Sequence, residues 1–188
     1  MKRKIFITGA GFICRQILNY LKNDTDTSFV IYSRDESKHE KLSLEFSHMD
    51  INFIQGDVKD YNDMLNAARG CEFGIFTAAS KIIHRVDLNL EKAIQTIVYG
   101  AINSKKVAEE LKFKASVLLS SDKEAESSTS YGLCKRLGSN YFLSEIGNNK
   151  NLCVLRYGNI NASSSSLLNI LPSFIQSGKT ISLYHEDM

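Results

Sequence analysis

The chain has 188 residues, of which 43% are hydrophobic and 23% charged, and its formal net charge at pH 7 is +2. This length and composition predict one globular unit, and the near-neutral charge gives no support for binding nucleic acid through its phosphates. No apolar run reaches the roughly 18 residues that a membrane-spanning helix needs, and the first apolar run is too short for a signal-peptide core, so we expect a cytoplasmic protein.

Strand-like and helix-like patterns alternate along the whole chain. Strands are predicted at residues 4–8, 28–32, 51–54, 72–77, 115–119 and 152–156, and helices after Gly11 and at residues 36–48, 61–69, 90–111 and 131–146. This alternation predicts an α/β fold, a Rossmann-type doubly wound parallel sheet with helices on both faces. Ligands of such a sheet bind at the carboxyl ends of its strands.

The first strand is followed by a glycine turn, residues 9–14 with the sequence GAGFIC. In a dinucleotide-binding turn, one glycine permits the tight bend, the next lets the backbone approach the pyrophosphate, and the helix N-terminus binds it. Gly9 and Gly11 suit these two roles. Cys14 stands where a smaller residue usually allows close packing, so we expect looser packing and weaker cofactor binding. An ordinary turn is the alternative, but the strand-to-helix context favours a nucleotide.

The second strand ends at Ser33 and Arg34, where a fold that uses NAD usually carries an acid for the ribose 2′-hydroxyl. An arginine suits the 2′-phosphate of NADP, so we expect NADP rather than NAD. The alternative is an ordinary solvated arginine beside Asp35 and Glu36. Asp57 is expected near the adenine, although Gly-Asp after a strand is also common in turns.

Tyr131 and Lys135 form a Tyr-x-x-x-Lys pair at the start of a predicted helix, and Asp122 and Lys123 follow the strand before it. Residues four apart share a helix face, so we expect the ammonium to lower the pKa of the phenol. Such a tyrosine exchanges a proton with a sugar hydroxyl near neutral pH. Taken alone, the tyrosine can be interpreted as a partly buried aromatic, and Asp122–Lys123 as a loop ion pair or a helix cap. Together, the two motifs favour catalysis.

The four cysteines, Cys14, Cys71, Cys134 and Cys153, are widely spaced, and the four histidines do not cluster with them. We therefore expect free thiols in a reducing compartment and no metal site. Although Cys134 lies between the tyrosine and the lysine of the pair, no histidine is near it in sequence, so we expect it to be a packing residue.

These motifs resemble the extended short-chain dehydrogenase/reductase family, and within it the nucleotide-sugar 4,6-dehydratases that act on UDP-N-acetylglucosamine in polysaccharide and surface-glycan synthesis. The resemblance runs from residue 4 to the end of the chain. The segments that carry it are Ile31-Tyr32-Ser33-Arg34-Asp35-Glu36, Ala78-Ala79-Ser80-Lys81, Ser121-Asp122-Lys123, Tyr131-Gly132 with Lys135, and Arg156-Tyr157-Gly158-Asn159.

The resemblance implies an internal redox cycle with Asp122, Lys123, Tyr131 and Lys135 as catalytic residues. Tyr131 would take the proton of the sugar's 4-hydroxyl while a hydride passes from that carbon to NADP. The new ketone acidifies carbon 5, from which Lys123 would remove a proton. Asp122 would protonate the departing 6-hydroxyl, and the hydride would return to carbon 6. The product is a 4-keto-6-deoxy sugar, with or without inversion at carbon 5.

The resemblance also implies the binding residues and the assembly. The expected cofactor contacts are Thr8, Gly9, Gly11, Phe12, Ile13, Ser33, Arg34, Asp57, Val58, Ala78, Ala79, Lys81, Tyr131 and Lys135, and the expected UDP-sugar contacts are Lys81, Ser121 and Asn159. Related enzymes pair subunits through a four-helix contact, so we expect at least a dimer formed by the helices at 90–111 and 131–146. The first of these should turn Ala93, Ile94, Ile97, Ala101 and Val107 inward and Lys105, Lys106, Glu109 and Glu110 to solvent.

Several positions depart from the family pattern. The glycine turn is one residue shorter than usual and lacks its last glycine, Ile97 replaces an active-site asparagine, and Ser164 replaces an arginine. We expect residues 1–160 to form the NAD(P)-binding domain and residues 161–188 to begin a truncated substrate-binding segment. Two interpretations stay open: a dehydratase of full or impaired activity, and a non-catalytic dinucleotide-binding or partner-binding module. An epimerase or reductase of the same family would need Tyr131 and Lys135 but not Lys123.

Overall fold

The computed structural model describes residues 2–78, 89–125, 129–144, 151–160 and 167–180. The chain divides into two compact units, Met1–Tyr157 and Gly158–Met188. In the second unit, the described residues include a helix at Leu167–Gln176 with Pro172 inside it. The sheet and the groups discussed below, Asn159 excepted, belong to the first unit.

The first unit is built on a six-stranded parallel sheet with the order β3-β2-β1-β4-β5-β6. Its strands are β1 (Arg3–Thr8), β2 (Thr27–Ser33), β3 (Ile51–Gln55), β4 (Phe73–Phe76), β5 (Ala115–Ser121) and β6 (Leu152–Tyr157). The strand order reverses between β1 and β4, and in such sheets a ligand binds where the order reverses. The predicted Rossmann-type fold is therefore confirmed.

The helices follow the predicted positions closely. They are α1 (Phe12–Leu21), α2 (Glu36–Glu45), α3 (Tyr61–Ala68), α4 (Leu90–Ala93), α5 (Gly100–Glu110), α6 (Ser130–Leu143) and, in the second unit, α7 (Leu167–Gln176). A π-helical segment, Ile94–Tyr99, joins α4 to α5, and a single 3-10 turn, Asp122–Glu124, follows β5. Among the described residues, no helix is both long enough and apolar enough to cross a membrane.

The helix starts are set by residues whose side chains accept a backbone N–H from the first turn. Asp35 caps α2 in this way, Asp60 caps α3, Asn89 caps α4 and Thr129 caps α6. Short side chains with an oxygen are the preferred N-caps because they satisfy donors that the helix itself leaves unpaired. These starts are therefore local features of the sequence.

The core consists of two apolar layers, one on each face of the sheet. Phe6 and Val30 belong to one layer, whereas their chain neighbours Ile7 and Ile31 belong to the other, as expected for alternating residues of buried strands. Cys14 is fully buried in the second layer, and burial raises the pKa of its thiol to about 12. The cysteine is thus accommodated beneath the glycine turn without exposure to solvent.

Lys105 was expected on the solvated face of α5, and this prediction is wrong, because only 1% of the residue is exposed. Its ammonium donates to the carbonyls of Phe142 and Ser144 at the end of α6, and it lies 3.3 Å from a carboxylate oxygen of Glu109. The last carbonyls of a helix lack intrahelical donors and carry a partial negative charge, which a cation satisfies. The free energy gained from these tertiary contacts therefore outweighs the solvation free energy that Lys105 would have on the surface.

The other burial predictions for the helix predicted at residues 90–111 are mostly confirmed. Ala93, Ile97, Ala101 and Val107 are buried, and Ile94 is half-buried. Lys106 and Glu110 are exposed, and Glu109 is intermediate.

Replacing Lys105 by methionine should lower the free energy of unfolding by about 1–3 kcal/mol, because it leaves buried carbonyls at the end of α6 without a donor. Urea unfolding followed by circular dichroism measures this change. Lys41→Met is a matched control, since Lys41 is exposed on α2, and a surface change should stay within about 0.5 kcal/mol. Equal stability of the two variants would show that Lys105 does not stabilise the end of α6.

Candidate active site

A groove of about 630 Å³ lies at the carboxyl ends of the first four strands. Eight of the residues predicted to contact a cofactor line it: Gly9, Gly11, Phe12, Ile13, Ser33, Arg34, Val58 and Ala78. A volume of this size suits a small-molecule ligand, for which clefts of roughly 300–1,000 Å³ are usual. Ala79 and Lys81, which were also predicted to contact the ligand, lie outside the described residues.

Gly9 forms the floor of the turn between β1 and α1. Its φ is +89°, and a Cβ atom there would lie 2.9 Å from Oγ1 of Thr77 and 3.3 Å from the backbone of Ala78. Both the conformation and the space therefore require glycine. Gly11 is the N-cap of α1 and has no side chain with which to cap it. The first N–H groups of that helix are thus left for an anion at the turn.

The end of β2 brings several polar side chains to the groove. Nη1 of Arg34 lies 3.5 Å from Oδ2 of Asp57, so the arginine is paired with the acid that follows β3. Ser33 Oγ and His39 Nε2 lie 2.7 Å apart, and Lys38 also lines the groove. Sequence reasoning missed Lys38 and His39, although their position in the first turns of α2 after a strand end was a usable signal.

Lys135 is buried on α6 and faces the end of β5. Its ammonium donates to the carbonyl of Leu119 at 3.0 Å, and burial lowers its pKa to about 8. A small cavity of about 10 Å³ adjoins this side chain and is lined in part by Thr8 and Ile97. Ile97 thus presents apolar surface near this lysine, and Thr8 lines the same cavity rather than the groove.

Tyr131 is partly buried one helical turn before this lysine. Burial raises the pKa of its phenol, and the negative charge of Asp122 raises it further. The expected lowering of this pKa is therefore wrong. The prediction considered only the spacing of the pair, whereas the phenol is desolvated and the ammonium of Lys135 is bound to a backbone carbonyl.

Asp122 and Lys123 lie on the 3-10 turn that follows β5, with the charged groups 3.6 Å apart. Ser121, the last residue of β5, donates to Asp122 at 3.0 Å and accepts the backbone N–H of Lys123 at 3.3 Å. Burial pushes the pKa of Asp122 upward, but the bond from Ser121 and the charge of Lys123 outweigh it and hold the pKa below its usual value. At neutral pH this acid is a carboxylate.

Gly132 allows the 3-10 turn to pack directly against the first turn of α6. A Cβ atom on Gly132 would lie 2.4 Å from the carbonyl oxygen of Lys123, a distance that requires the backbone to move. The glycine after Tyr131 therefore has a steric reason. It lets the segment with Asp122 and Lys123 approach the segment with Tyr131 and Lys135.

One buried acid beside these groups was missed by sequence reasoning. Glu124 ends the 3-10 turn, and its carboxylate accepts hydrogen bonds from the hydroxyls of Ser120 and Ser139 and from the guanidinium of Arg156. An acid directly after Asp122–Lys123 and an arginine in the next strand were the available signals, but their meeting depends on how β5 and β6 align.

Two other positions from the sequence analysis do not belong to the described part of the first unit. Asn159 belongs to the second unit, directly beyond β6, and Ser164 lies outside the described residues. In the part of the chain that the structure describes, no group of three or more His, Cys, Asp or Glu side chains could hold a metal ion.

Comparison with known proteins gives a consistent family. A model of the family described as polysaccharide biosynthesis protein matches residues 5–188. The UDP-glucose 4-epimerase of Rickettsia canadensis is 31% identical over 181 residues, which are 94% of this chain and 52% of the epimerase. The chain spans about half the length of the curated relatives it matches.

Solved structures share the fold. Pen from Bacillus thuringiensis superposes with a TM-score of 0.90 at 23% identity, over 100% of this chain and 59% of Pen. DesIV, a dTDP-glucose 4,6-dehydratase from Streptomyces venezuelae with NAD and TYD bound, superposes with a TM-score of 0.74 at 18% identity, over 97% of this chain and 65% of DesIV. The resemblance to extended short-chain dehydrogenases/reductases is confirmed, and the family match over nearly the whole chain makes this protein a member of the polysaccharide biosynthesis protein family.

Proposed function

We propose that the chain carries the cofactor-binding and proton-transferring residues of an enzyme that oxidises a nucleotide sugar at carbon 4. The observation that carries this proposal is the packing of the 3-10 turn with Asp122 and Lys123 against the first turn of α6, which carries Tyr131, in the unit that also contains the groove. The negative charge of Asp122 on the 3-10 turn raises the pKa of Tyr131 on α6. The turn packs against α6 at Gly132. Groups of this kind suit reversible proton exchange with a sugar hydroxyl.

The groove supports a nicotinamide dinucleotide as cofactor. Gly9 and Gly11 leave the backbone open to a pyrophosphate at the start of α1, and Ser33 and Arg34 stand where an adenosine ribose would lie. When bound, the nicotinamide accepts a hydride from a sugar carbon and can return it. We propose NADP rather than NAD because Arg34 suits a 2′-phosphate, although the DesIV structure contains NAD.

Tyr131 takes the proton of the 4-hydroxyl in this proposal. Since burial and Asp122 raise the pKa of the phenol, the tyrosine keeps its proton at neutral pH unless positive charge stabilises the phenolate. Lys135, one turn away on the same helix, has a pKa of about 8 and therefore still carries its proton at pH 7. In this proposal its ammonium leaves the carbonyl of Leu119 and supplies that charge to the phenolate.

Asp122 and Lys123 carry the dehydration. Once carbon 4 is a ketone, Lys123 removes the proton from carbon 5, because the carbonyl holds the resulting charge as an enolate. Asp122 is a carboxylate at neutral pH and must gain a proton before it can protonate the departing 6-hydroxyl. The ammonium of Lys123 lies 3.6 Å from Asp122, and by passing its proton to that carboxylate it becomes the neutral amine that removes the carbon-5 proton, while Asp122 becomes the acid that protonates the leaving 6-hydroxyl.

We propose UDP-N-acetylglucosamine as substrate and 4,6-dehydration as the reaction, on the resemblance of the segments Ser121-Asp122-Lys123 and Arg156-Tyr157-Gly158-Asn159. A second candidate is epimerisation at carbon 4, which is favoured by the similarity to the Rickettsia canadensis UDP-glucose 4-epimerase. Both reactions begin with the same oxidation. They differ in whether Lys123 is needed.

The oligomer stays a prediction, and one surface feature supports it. Leu133 and Leu137, four residues apart on α6, are 53% and 58% exposed. Two large apolar side chains on one helix face are an unfavourable surface for water and a suitable one for a second subunit. We therefore propose that α6 takes part in a dimer contact.

One experiment separates these functions. The purified chain is incubated with UDP-N-acetylglucosamine and NADP, and the sugar is followed by proton NMR. A 4-keto-6-deoxy product supports the dehydratase, whereas a galacto-configured sugar supports the epimerase. If the cofactor binds and neither product forms, the chain is a non-catalytic dinucleotide-binding module.

In an active chain, Tyr131→Phe and Lys123→Ala should stop the reaction at different steps. Without the Tyr131 hydroxyl the first oxidation loses its proton acceptor, so turnover should fall about 100- to 10,000-fold and no reduced cofactor should appear. Without the Lys123 ammonium the oxidation proceeds but dehydration does not, so reduced cofactor should accumulate, measured by its absorbance in a single turnover. Tyr20→Phe and Lys41→Ala, at exposed positions, are the controls. Parent-like turnover of Lys123→Ala beside an inactive Tyr131→Phe would favour the epimerase, which does not need Lys123.

Replacing Arg34 by alanine should weaken the binding of NADP about 10- to 100-fold, the value of a hydrogen bond to a charged group, and should leave NAD affinity nearly unchanged. Calorimetric titration of both cofactors measures this difference. Arg15→Ala is the matched control, because Arg15 is an exposed arginine that pairs with Glu45 on α2. If the parent binds both cofactors equally and Arg34→Ala alters neither, the 2′-phosphate assignment is wrong.

The stability of the parent relative to Lys135→Met should increase as the pH rises from about 8 to 10.5. In the parent, folding lowers the pKa of Lys135 from 10.5 to about 8, so between these values the unfolded chain binds more protons. The contribution of this lysine to stability therefore increases with pH across that window. The shift corresponds to about 3 kcal/mol. Urea unfolding at pH 7 and pH 10 measures it, and a stability difference that does not change with pH would contradict the burial of a charged lysine.

A further inference from the structure

Glu124 is a buried acid surrounded by donors from three separate elements. Only 3% of the residue is exposed. Ser120 on β5, Ser139 on α6 and Arg156 on β6 each donate to its carboxylate, and the bond from Ser139 measures 2.6 Å. The hydroxyl oxygens of Ser139 and Ser120 lie 3.0 Å from each other. A buried carboxylate is costly unless it is paired and hydrogen-bonded, and this one meets both conditions.

The donors lie on the elements that carry the proposed catalytic groups. Ser139 stands four residues after Lys135 and eight after Tyr131, so the three share one face of α6. Ser120 directly follows Leu119, whose carbonyl accepts the hydrogen bond from Lys135. Glu124 itself ends the turn that contains Asp122 and Lys123. Its carboxylate therefore connects the two segments that must act on one sugar.

The 3-10 turn is too short to hold itself in place. It spans three residues, and its backbone closes through the bond from Ala125 N–H to the carbonyl of Asp122 at 2.9 Å. Such turns have poor hydrogen-bond geometry and depend on outside contacts. The contact of Lys123 with Gly132 limits how near the turn comes to α6 but does not pull it inward. The hydrogen bonds to the buried carboxylate of Glu124 supply the attraction that holds the turn against α6.

We propose that Glu124 is a positioning residue that fixes Asp122 and Lys123 relative to Tyr131. The catalytic roles of those three residues rest on the proposed function. The hydrogen bonds that Glu124 accepts from Ser120, Ser139 and Arg156, here called the clamp, do not. The negative charge of the Glu124 carboxylate is essential to this positioning role. Glutamine at this position has the same shape but offers one oxygen acceptor and an NH2 donor, which cannot satisfy the guanidinium of Arg156 and both hydroxyls together.

Hydrogen–deuterium exchange on the full chain tests the clamp without requiring turnover. In Glu124→Gln, amides of residues 121–125 should exchange about 10- to 100-fold faster, because hydrogen bonds to a charged group are lost from a local contact. Amides of β1 and β4 should keep the parent's rates. Ser139→Ala removes a single donor and should give a smaller acceleration in the same segment. Glu45→Gln, which breaks the exposed pair with Arg15, is the matched control and should leave residues 121–125 unchanged.

The exchange comparison decides the inference whether or not the parent turns over the sugar. Parent-like rates at residues 121–125, or an acceleration shared equally by β1 and β4, would overturn it, since the latter is the mark of lower overall stability. With an active parent, Glu124→Gln should lower kcat about 100-fold, as a displacement near 1 Å does, and leave the KM for the nucleotide sugar nearly unchanged. A kcat equal to that of Glu45→Gln would also overturn it.

Discussion

The docking of α6 onto the end of β5 is the interaction on which the candidate site depends. The buried side of this helix is largely polar or small rather than apolar, with Gly132, Lys135, Gly138 and Ser139 turned inward. Each polar side chain there has a fixed partner, since Lys135 binds the carbonyl of Leu119 and Ser139 binds Glu124. In a low-dielectric interior an unmatched group of this kind is costly, so the partners set the rotation and height of the helix. The docking of α6 thereby fixes the position of Tyr131 relative to the end of β5.

This arrangement departs from the usual amphipathic pattern of a surface helix, although Cys134 and Phe142 are buried. Leucines lie outside at positions 133 and 137, while a lysine and a serine lie inside. A Cβ atom on Gly138 would lie 3.2 Å from the Cβ of Ala101 and 3.3 Å from the carbonyl oxygen of Ile97, so glycine relieves a tight contact there. Close approach of α6 to the π-helical segment is therefore achieved by small residues. The apolar surface that such a helix would normally bury in its own core is left for another partner.

The fold was predictable because its signals are local. Strand β2, predicted at residues 28–32, spans Thr27–Ser33, and helix α3, predicted at residues 61–69, spans Tyr61–Ala68. Apolar runs, cap residues and glycine turns set such elements within a few residues of sequence. The position of the groove could be predicted from the alternation of strands and helices, because parallel strands end at the same edge.

The features that sequence reasoning missed depend on contacts between distant segments. The burial of Lys105 requires the end of α6, 37 residues away, and the role of Glu124 requires Arg156, 32 residues away. The pKa of Tyr131 is raised rather than lowered because of burial, which no spacing rule contains, and because of the negative charge of Asp122. The π-helical segment was hidden because its residues have the composition of an ordinary helix.

Under the proposed function, the same unit serves either of two reactions, because proton and hydride exchange at carbon 4 is common to both. The oxidation needs Tyr131, Lys135 and the groove, all of which lie on elements anchored to the central sheet. The fate of the ketone then depends on whether a base reaches carbon 5 before the hydride returns to carbon 4. Lys123 can do so only if its turn stays against α6, and the buried carboxylate of Glu124 ties that turn to the helix. Under the proposed function, the choice between dehydration and epimerisation is therefore predicted to depend on how rigidly this short turn is held against α6.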